Sequence, residues 1–115
     1  MTKASYYIVN NVKTEGRYKQ TVDDSKFEVH ISFEKDNKKN SLVLEFTWSV
    51  DGDFVDGQNV DCSRWCVDVL ASDKVLQDFK ESFPDFVMPE GGRFSAEDEI
   101  AGLEHDLEKA GIVKA

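Results

Sequence analysis

The sequence predicts an α+β fold: an antiparallel sheet of about four strands in a meander, with two C-terminal helices packed on one face. Two segments within residues 27–50 alternate apolar and polar side chains with the two-residue period of half-buried strands. Residues 72–111 hold two amphipathic segments, each preceded by a serine that suits a helix N-cap. Because the chain has 115 residues, close to the common size of one domain, we expect a single domain over residues 1–115.

The best-defined strands are expected at residues 27–33 and 42–50, as the two arms of a hairpin. The polar residues 36–39 between them favour a four-residue loop. Both apolar sets must face the core, so this loop determines how the two strands pair. The expected pairs are Phe33 with Leu42, Ile31 with Leu44, Val29 with Phe46, Phe27 with Trp48 and, on the other face, His30 with Glu45.

Three further segments surround this hairpin. Residues 6–9 are expected to form a strand by their β-propensity, and a turn at residues 14–16 is expected to lead into a weaker strand through Tyr18 and Val22. The Gly- and Asp-rich residues 51–61 are expected to be a loop. Residues 62–70 fit either a helix or a strand by their apolar spacing, and the β-branched Val67 and Val69 favour the strand.

Both expected helices have recognisable ends. Ser72 caps the first helix and Ser95 caps the last one, with Asp98 at the third helical position. Residues 89–92, with the sequence PEGG, form a linker between the helices, and Gly111 is placed for a C-terminal cap. The residues expected in the core are Phe27, Val29, Ile31, Phe33, Leu42, Leu44, Phe46, Trp48, Phe79, Leu103 and Leu107.

Acidity is concentrated in the second half of the chain. Residues 1–50 carry eight Lys or Arg and seven Asp or Glu, a net charge of +1, whereas residues 51–115 carry six and sixteen, a net charge of −10. This distribution argues against nucleic acid or an anionic membrane as a direct ligand of that half, and it favours a basic protein partner. The residues expected to contact this partner are Asp51, Asp53, Asp56, Glu97, Asp98, Glu99, Glu104, Asp106 and Glu108.

The sequence motifs favour no catalytic, metal or cofactor site. The aspartates of residues 51–61 miss the EF-hand pattern, since position 6 of the loop is Asp56 and position 12 is Cys62. Cys62 and Cys66 have the spacing C-x-x-x-C, not the C-x-x-C of redox or zinc sites, and are expected to be reduced thiols of a cytoplasmic protein. The N-terminus lacks the apolar stretch of a signal peptide, and no apolar run is long enough to span a membrane.

We therefore predict a small acidic non-enzymatic protein that binds a basic protein. In size, acidity and lack of a catalytic motif, the chain resembles small toxin-immunity and phage counter-defence proteins; this resemblance of composition implies an inhibitor and transfers no site residue.

Two alternative functions stay open at this point. One is an assembly module that self-associates through its sheet, suggested by the aromatic residues Tyr6, Tyr7, Tyr18 and Phe54. The other is a small enzyme that uses His30 with Glu45, or a cysteine thiol, for its chemistry.

Overall fold

The α+β prediction is confirmed by the structure, a computed structural model. It describes residues 3–55 and 58–115, with the backbone alone described over residues 51–55 and 58–62. The elements, in chain order, are β1 (Ala4–Asn11), β2 (Thr14–Glu15), β3 (Gln20–Thr21), β4 (Lys26–Lys35), β5 (Lys38–Val55), β6 (Gln58–Leu70), α1 (Asp73–Ser82), α2 (Ala96–Lys109) and β7 (Val113–Lys114).

The main sheet has the strand order β6-β5-β4-β1-β7. Its first four strands are antiparallel, and β7 pairs in parallel with β1. The weak strand expected within residues 14–22 does not join this sheet, because β2 and β3 pair only with each other in a small sheet of their own. Strand β7 was not predicted from the sequence.

The predicted register of the central hairpin is wrong by two residues. Lys35 pairs with Lys38, so the loop contains only Asp36 and Asn37, whose φ angles are 53° and 63°. Positive φ at both positions is the geometry of a type I′ turn, which matches the twist of the strands it joins. The observed pairs are Ile31 with Leu42, Val29 with Leu44, Phe27 with Phe46, His30 with Val43, and Glu28 with Glu45.

The loop expected at residues 51–61 is also wrong for the part of it that the structure describes. Strand β5 continues to Val55 and pairs without a break with β6, which starts at Gln58. The preferred strand at residues 62–70 is confirmed as the rest of β6. Since β4 pairs with β5 only as far as Thr47, the end of the β5–β6 hairpin extends past the other strands. The molecule is accordingly elongated, 55 × 29 × 20 Å.

The core lies between one face of the sheet and the two helices. Every residue expected there is buried except Trp48, which is half-buried, and the core also contains Tyr6, Trp65 and Ile112. Aromatic rings form much of it: Phe27 stacks on Phe46 with ring centroids 4.5 Å apart, and Trp65 meets the Phe27 ring edge-on at 5.0 Å. Large rings of this kind bury more area than any aliphatic side chain.

The predicted helix ends are confirmed. The Ser72 and Ser95 hydroxyls each accept a hydrogen bond from a backbone N–H three residues on, at 3.2 Å. At the other end of α2, Gly111 has a φ of 91° and the Ile112 N–H donates to the Leu107 carbonyl, which is a Schellman cap. This cap turns the chain so that Ile112 enters the core and β7 reaches β1. Within the described residues, neither helix is long and apolar enough to cross a membrane.

Candidate functional site

The acidic residues of α2 lie on two different edges of the helix. An α-helix turns by about 100° per residue, and the buried Leu103 and Leu107 mark the inner side of α2. Seen from there, the six carboxylates separate into two sets of three. One set is Asp98, Glu99 and Asp106, and the other is Glu97, Glu104 and Glu108. The acidic residues of α2 that were expected to contact the basic partner therefore lie on two surfaces with different surroundings.

The first set borders a groove of about 410 Å³ between α2 and the segment before it. We call this the acidic groove; it is lined by the apolar side chains of Phe46, Pro89, Phe94 and Leu103 and by Asp98, Glu99 and Asp106. Phe94 is 69% exposed, although large apolar side chains usually avoid water. The groove thus combines an apolar floor, an accessible aromatic ring and carboxylates on one side.

The wall of the groove opposite α2 is held on strand β6 by Trp65. The Trp65 backbone N–H donates to the Gly92 carbonyl at 2.8 Å, and its indole Nε1–H donates to the Phe94 carbonyl at 3.0 Å. Gly91 has a φ of 81°, and a Cβ at this position would overlap the Trp65 carbonyl oxygen. Residues 89–92, expected only to link the helices, therefore form a wall that requires glycine at position 91.

The carboxylates of the acidic groove have no compensating partner among the described residues. Across the part of the chain that the structure describes, the side chains of Asp98, Glu99 and Asp106 form no hydrogen bond and no ion pair. Burial raises the pKa of the Glu99 carboxyl, and the neighbouring charge of Asp98 raises it further. The first effect reflects removal of the Glu99 carboxyl from water, and the second reflects a like charge nearby; a cation placed beside Glu99 would stabilise its ionised form.

On the opposite edge of α2, Glu104 is part of the fold. It accepts a hydrogen bond of 2.8 Å from the hydroxyl of the buried Tyr6 and lies 3.6 Å from the Lys114 ammonium group. Burial, followed by the hydrogen bond to Glu104, raises the pKa of Tyr6 well above its usual range. These contacts attach α2 to the β1–β7 edge of the sheet. Glu97 and Glu108, on the same edge of the helix, are exposed.

The three aspartates expected to bind the partner from the β5–β6 hairpin region cannot be placed relative to the acidic groove. Asp51 and Asp53 lie on β5, in the region where only the backbone is described, and Asp56 lies outside the described residues. Their predicted role in partner binding stays a prediction.

The predicted pair of His30 and Glu45 is wrong, because the register places Glu45 opposite Glu28 and His30 opposite Val43. His30 instead contacts Glu28, with its Nε2 2.9 Å from a carboxylate oxygen. Its ring stacks on Tyr7, with the centroids 4.6 Å apart and the planes 5° from parallel. The enzyme hypothesis thus loses its histidine–carboxylate pair, whereas its cysteine-thiol alternative stays a prediction. In the structure, His30 belongs to a surface cluster with Tyr7 and Glu28.

The aromatic residues proposed for self-association are in different environments. Tyr6 is fully buried and cannot contact a partner, whereas Tyr7 and Tyr18 are 50% and 81% exposed. Phe54 lies where only the backbone is described. Both edges of the sheet are partly occupied, since β7 pairs with β1 and Gly92 forms a bridge to Trp65 on β6.

Cys66 is a free, half-buried thiol on β6, and the side chain of Cys62 is not described. Among the described residues, no three His, Cys, Asp or Glu side chains are grouped so that they could hold a metal ion.

Comparison with known proteins identifies no relative. A scan against protein-family models, a search of curated proteins and a search of solved structures each found no match. The interpretation of function therefore rests on the surfaces of the chain itself.

Proposed function

We propose that this protein is a non-enzymatic binding module that docks on a basic surface of another protein through the acidic groove. The observation that carries the proposal is the groove of about 410 Å³, in which apolar lining and an exposed Phe94 adjoin three carboxylates that pair with no described residue. Protein interfaces commonly combine an apolar, aromatic-rich centre with a polar rim.

The two parts of the groove have different roles in binding. Phe94 and the floor around it supply apolar area, which gives affinity when the partner excludes water. Asp98, Glu99 and Asp106 supply charge complementarity, which selects a partner that carries Lys or Arg next to an apolar group. The formal net charge of −9 adds long-range attraction and faster, salt-sensitive association.

Inhibition of the partner is the biological consequence that we propose. It is supported by the resemblance in size and acidity to toxin-immunity and counter-defence proteins, since covering a basic surface blocks whatever that surface binds. A cytoplasmic location is part of the proposal and is supported by the free thiol of Cys66, which suits a reducing compartment.

Affinity capture with truncated groove residues tests the proposal. The tagged wild-type protein, Phe94→Ser and Val87→Ser are each incubated with host lysate at low and high salt, and captured proteins are identified by mass spectrometry. Val87 is a matched control, because it is also a large exposed apolar residue, 79% accessible, and it lines a separate depression that shares only Asp106 with the groove.

We expect one basic partner at near-stoichiometric amount with the wild type and Val87→Ser, with less recovered at high salt and little recovered by Phe94→Ser. Equal recovery by all three proteins would contradict the proposal, and so would a partner that is not basic.

A further inference from the structure

The face of the main sheet that points away from the helices carries a second ordered surface. We call it the outer face. It is formed by alternate residues of β1, β4, β5 and β6, and none of its described side chains is buried. Since both helices pack on the other face, this surface lies on the opposite side of the sheet from the acidic groove.

The observed register arranges the outer face in rows that cross the strands. One row, here the aromatic–aliphatic row, is made by Tyr7, His30, Val43 and Leu70, each directly opposite the next. Tyr7 and Leu70, at its two ends, are each 50% exposed. With strands about 4.8 Å apart, this row is about 14 Å long.

A row of carboxylates runs beside it. Glu28, Glu45 and Asp68 are each directly opposite the next on β4, β5 and β6, and we call them the acidic row. They lie two residues along the strands from the aromatic–aliphatic row, a separation of about 7 Å. Like charges directly opposite each other on neighbouring strands destabilise the pair.

Among the described residues, partners are found for only one end of the acidic row. Glu28 is 2.9 Å from the His30 imidazole and 3.6 Å from the Lys26 ammonium group. Glu45 and Asp68, by contrast, form no hydrogen bond or ion pair with any residue that the structure describes. A cation placed over these two carboxylates would relieve a repulsion that the fold itself leaves in place.

The two rows together indicate what can cover this face. A second copy of the chain is a poor occupant, because each copy has a net charge of −9 and would bring its own acidic row. An α-helix with an apolar stripe and Lys or Arg along one flank is complementary to both rows. The aromatic–aliphatic row matches nine to ten residues of helix at about 1.5 Å per residue, and Lys or Arg side chains can reach about 7 Å sideways to the acidic row.

We infer that the outer face is a second docking surface, which binds a basic amphipathic helix of a protein partner. The helix places its apolar stripe on Tyr7, Val43 and Leu70 and its basic flank over Glu45 and Asp68. This inference is independent of the function proposed for the acidic groove, because the two surfaces share no residue.

The probe for this test is a synthetic 18-residue helical peptide of Leu and Lys, with Leu along one stripe and Lys on its flanks. A peptide with Glu in place of every Lys is its control. Binding of fluorescently labelled peptide is titrated against the wild-type protein and three double variants. Each variant neutralises two carboxylates: Glu45→Gln/Asp68→Asn on the outer face, Asp98→Asn/Asp106→Asn in the groove, and Glu97→Gln/Glu108→Gln on the far edge of α2.

We expect the Lys peptide to bind the wild-type protein and the Glu peptide not to bind. Removing the outer-face charges should raise the Kd about tenfold, whereas each of the other two variants should change it by less than about twofold. Leu70→Ser should also weaken binding, because its side chain is half exposed and contributes apolar contact without being part of the core. Each variant is first compared with the wild type by urea unfolding.

Several outcomes would overturn the inference. A similar loss in all three double variants would indicate unspecific attraction between opposite charges, and a loss confined to the groove variant would place the peptide in the acidic groove. Failure of the wild type to bind the Lys peptide would also reject it, as would a wild-type dimer in sedimentation that Leu70→Ser converts to a monomer. Since only the groove variant tests the proposed function, the two proposals can fail separately.

Discussion

Replacing Gly91 with alanine should destabilise this protein far more than the same change at other glycines with positive φ. Gly91 has a φ of 81°, and Gly111 has a φ of 91°. An L-residue in this region costs about 1–2 kcal/mol, so both substitutions have this penalty. They differ in their surroundings, because a Cβ at Gly111 would meet no atom within 4 Å, whereas a Cβ at Gly91 would overlap the Trp65 carbonyl oxygen.

The additional penalty at Gly91 follows from the hydrogen bonds that its position allows. The overlap is with backbone, so residues 91–94 must move away from β6. Trp65 is 1% exposed, and both of its donors, the backbone N–H and the indole Nε1–H, bond to carbonyls of this segment. A buried donor left without a partner costs about 1–3 kcal/mol. We therefore expect a loss of at least about 3 kcal/mol for Gly91→Ala and about 1–2 kcal/mol for Gly111→Ala.

Urea unfolding followed by tryptophan fluorescence measures both losses, since Trp65 and Trp48 lie in or beside the core. Gly91→Ala should also weaken binding of the partner of the acidic groove, because the wall that presents Phe94 is displaced, while Gly111→Ala should leave it unchanged. If the two variants lose the same stability to within about 0.5 kcal/mol, the close contact between Gly91 and Trp65 does not exist and the reasoning fails.

Three further predictions concern contacts that fix the fold. Tyr6→Phe should lower the free energy of unfolding by about 1 kcal/mol, because it removes the hydrogen bond to Glu104. The raised pKa of Tyr6 also makes wild-type stability fall as the pH rises above about 10. Urea unfolding at alkaline pH should therefore show a smaller fall in stability for Tyr6→Phe. Lys35 lowers the pKa of two carboxyls on α1, so wild-type stability should fall as the pH drops below about 4, and Lys35→Met should show a shallower fall in an acid titration. Glu45→Lys should raise the free energy of unfolding, measured with urea, by about 0.2–1 kcal/mol, because it places a cation opposite Glu28. An unchanged or lower free energy of unfolding would contradict the observed register.

The central hairpin shows why the sequence predicted the core better than the pairing. Alternation of apolar residues tells which side chains point inward, and a shift of two residues leaves every side chain on the same face. The loop could be read as four polar residues or as a two-residue turn at Asp36 and Asn37, and only the backbone angles distinguish them. The core prediction therefore succeeded while the pair of His30 and Glu45 was wrong.

The loop prediction for residues 51–61 was wrong, in the part that the structure describes, for a related reason. Their Gly and Asp content indicates a loop in isolation. However, β5 and β6 are already paired up to this point, so every second additional residue pair gains two backbone hydrogen bonds. Ile112, in contrast, had a usable signal: an apolar residue just after a C-terminal glycine commonly packs back on the helix.

The acidic groove could be predicted only in part. The carboxylates of α2 can be identified in the sequence, and so can the N-cap Ser95, which marks where the helix begins. Their division into two edges follows from helix periodicity once Leu103 and Leu107 are taken as the inner side. The contribution of Phe94 was missed, because its position depends on hydrogen bonds to Trp65, which is 29 residues away in the chain.

The most direct test of the proposed function compares charge reversal on the two edges of α2. Asp98→Lys/Asp106→Lys changes the groove, and Glu97→Lys/Glu108→Lys changes the opposite edge. Both variants alter the net charge equally, and each places one substitution in the first turn of α2 and one in its last two turns. Affinity for the captured partner is measured for both variants and the wild type at low and high salt.

We expect the groove variant to bind at least about tenfold more weakly than the wild type at low salt, and the edge variant to bind nearly as tightly as the wild type. Equal weakening of both variants, or unchanged binding of the groove variant, would contradict the claim that the acidic groove is the site of docking.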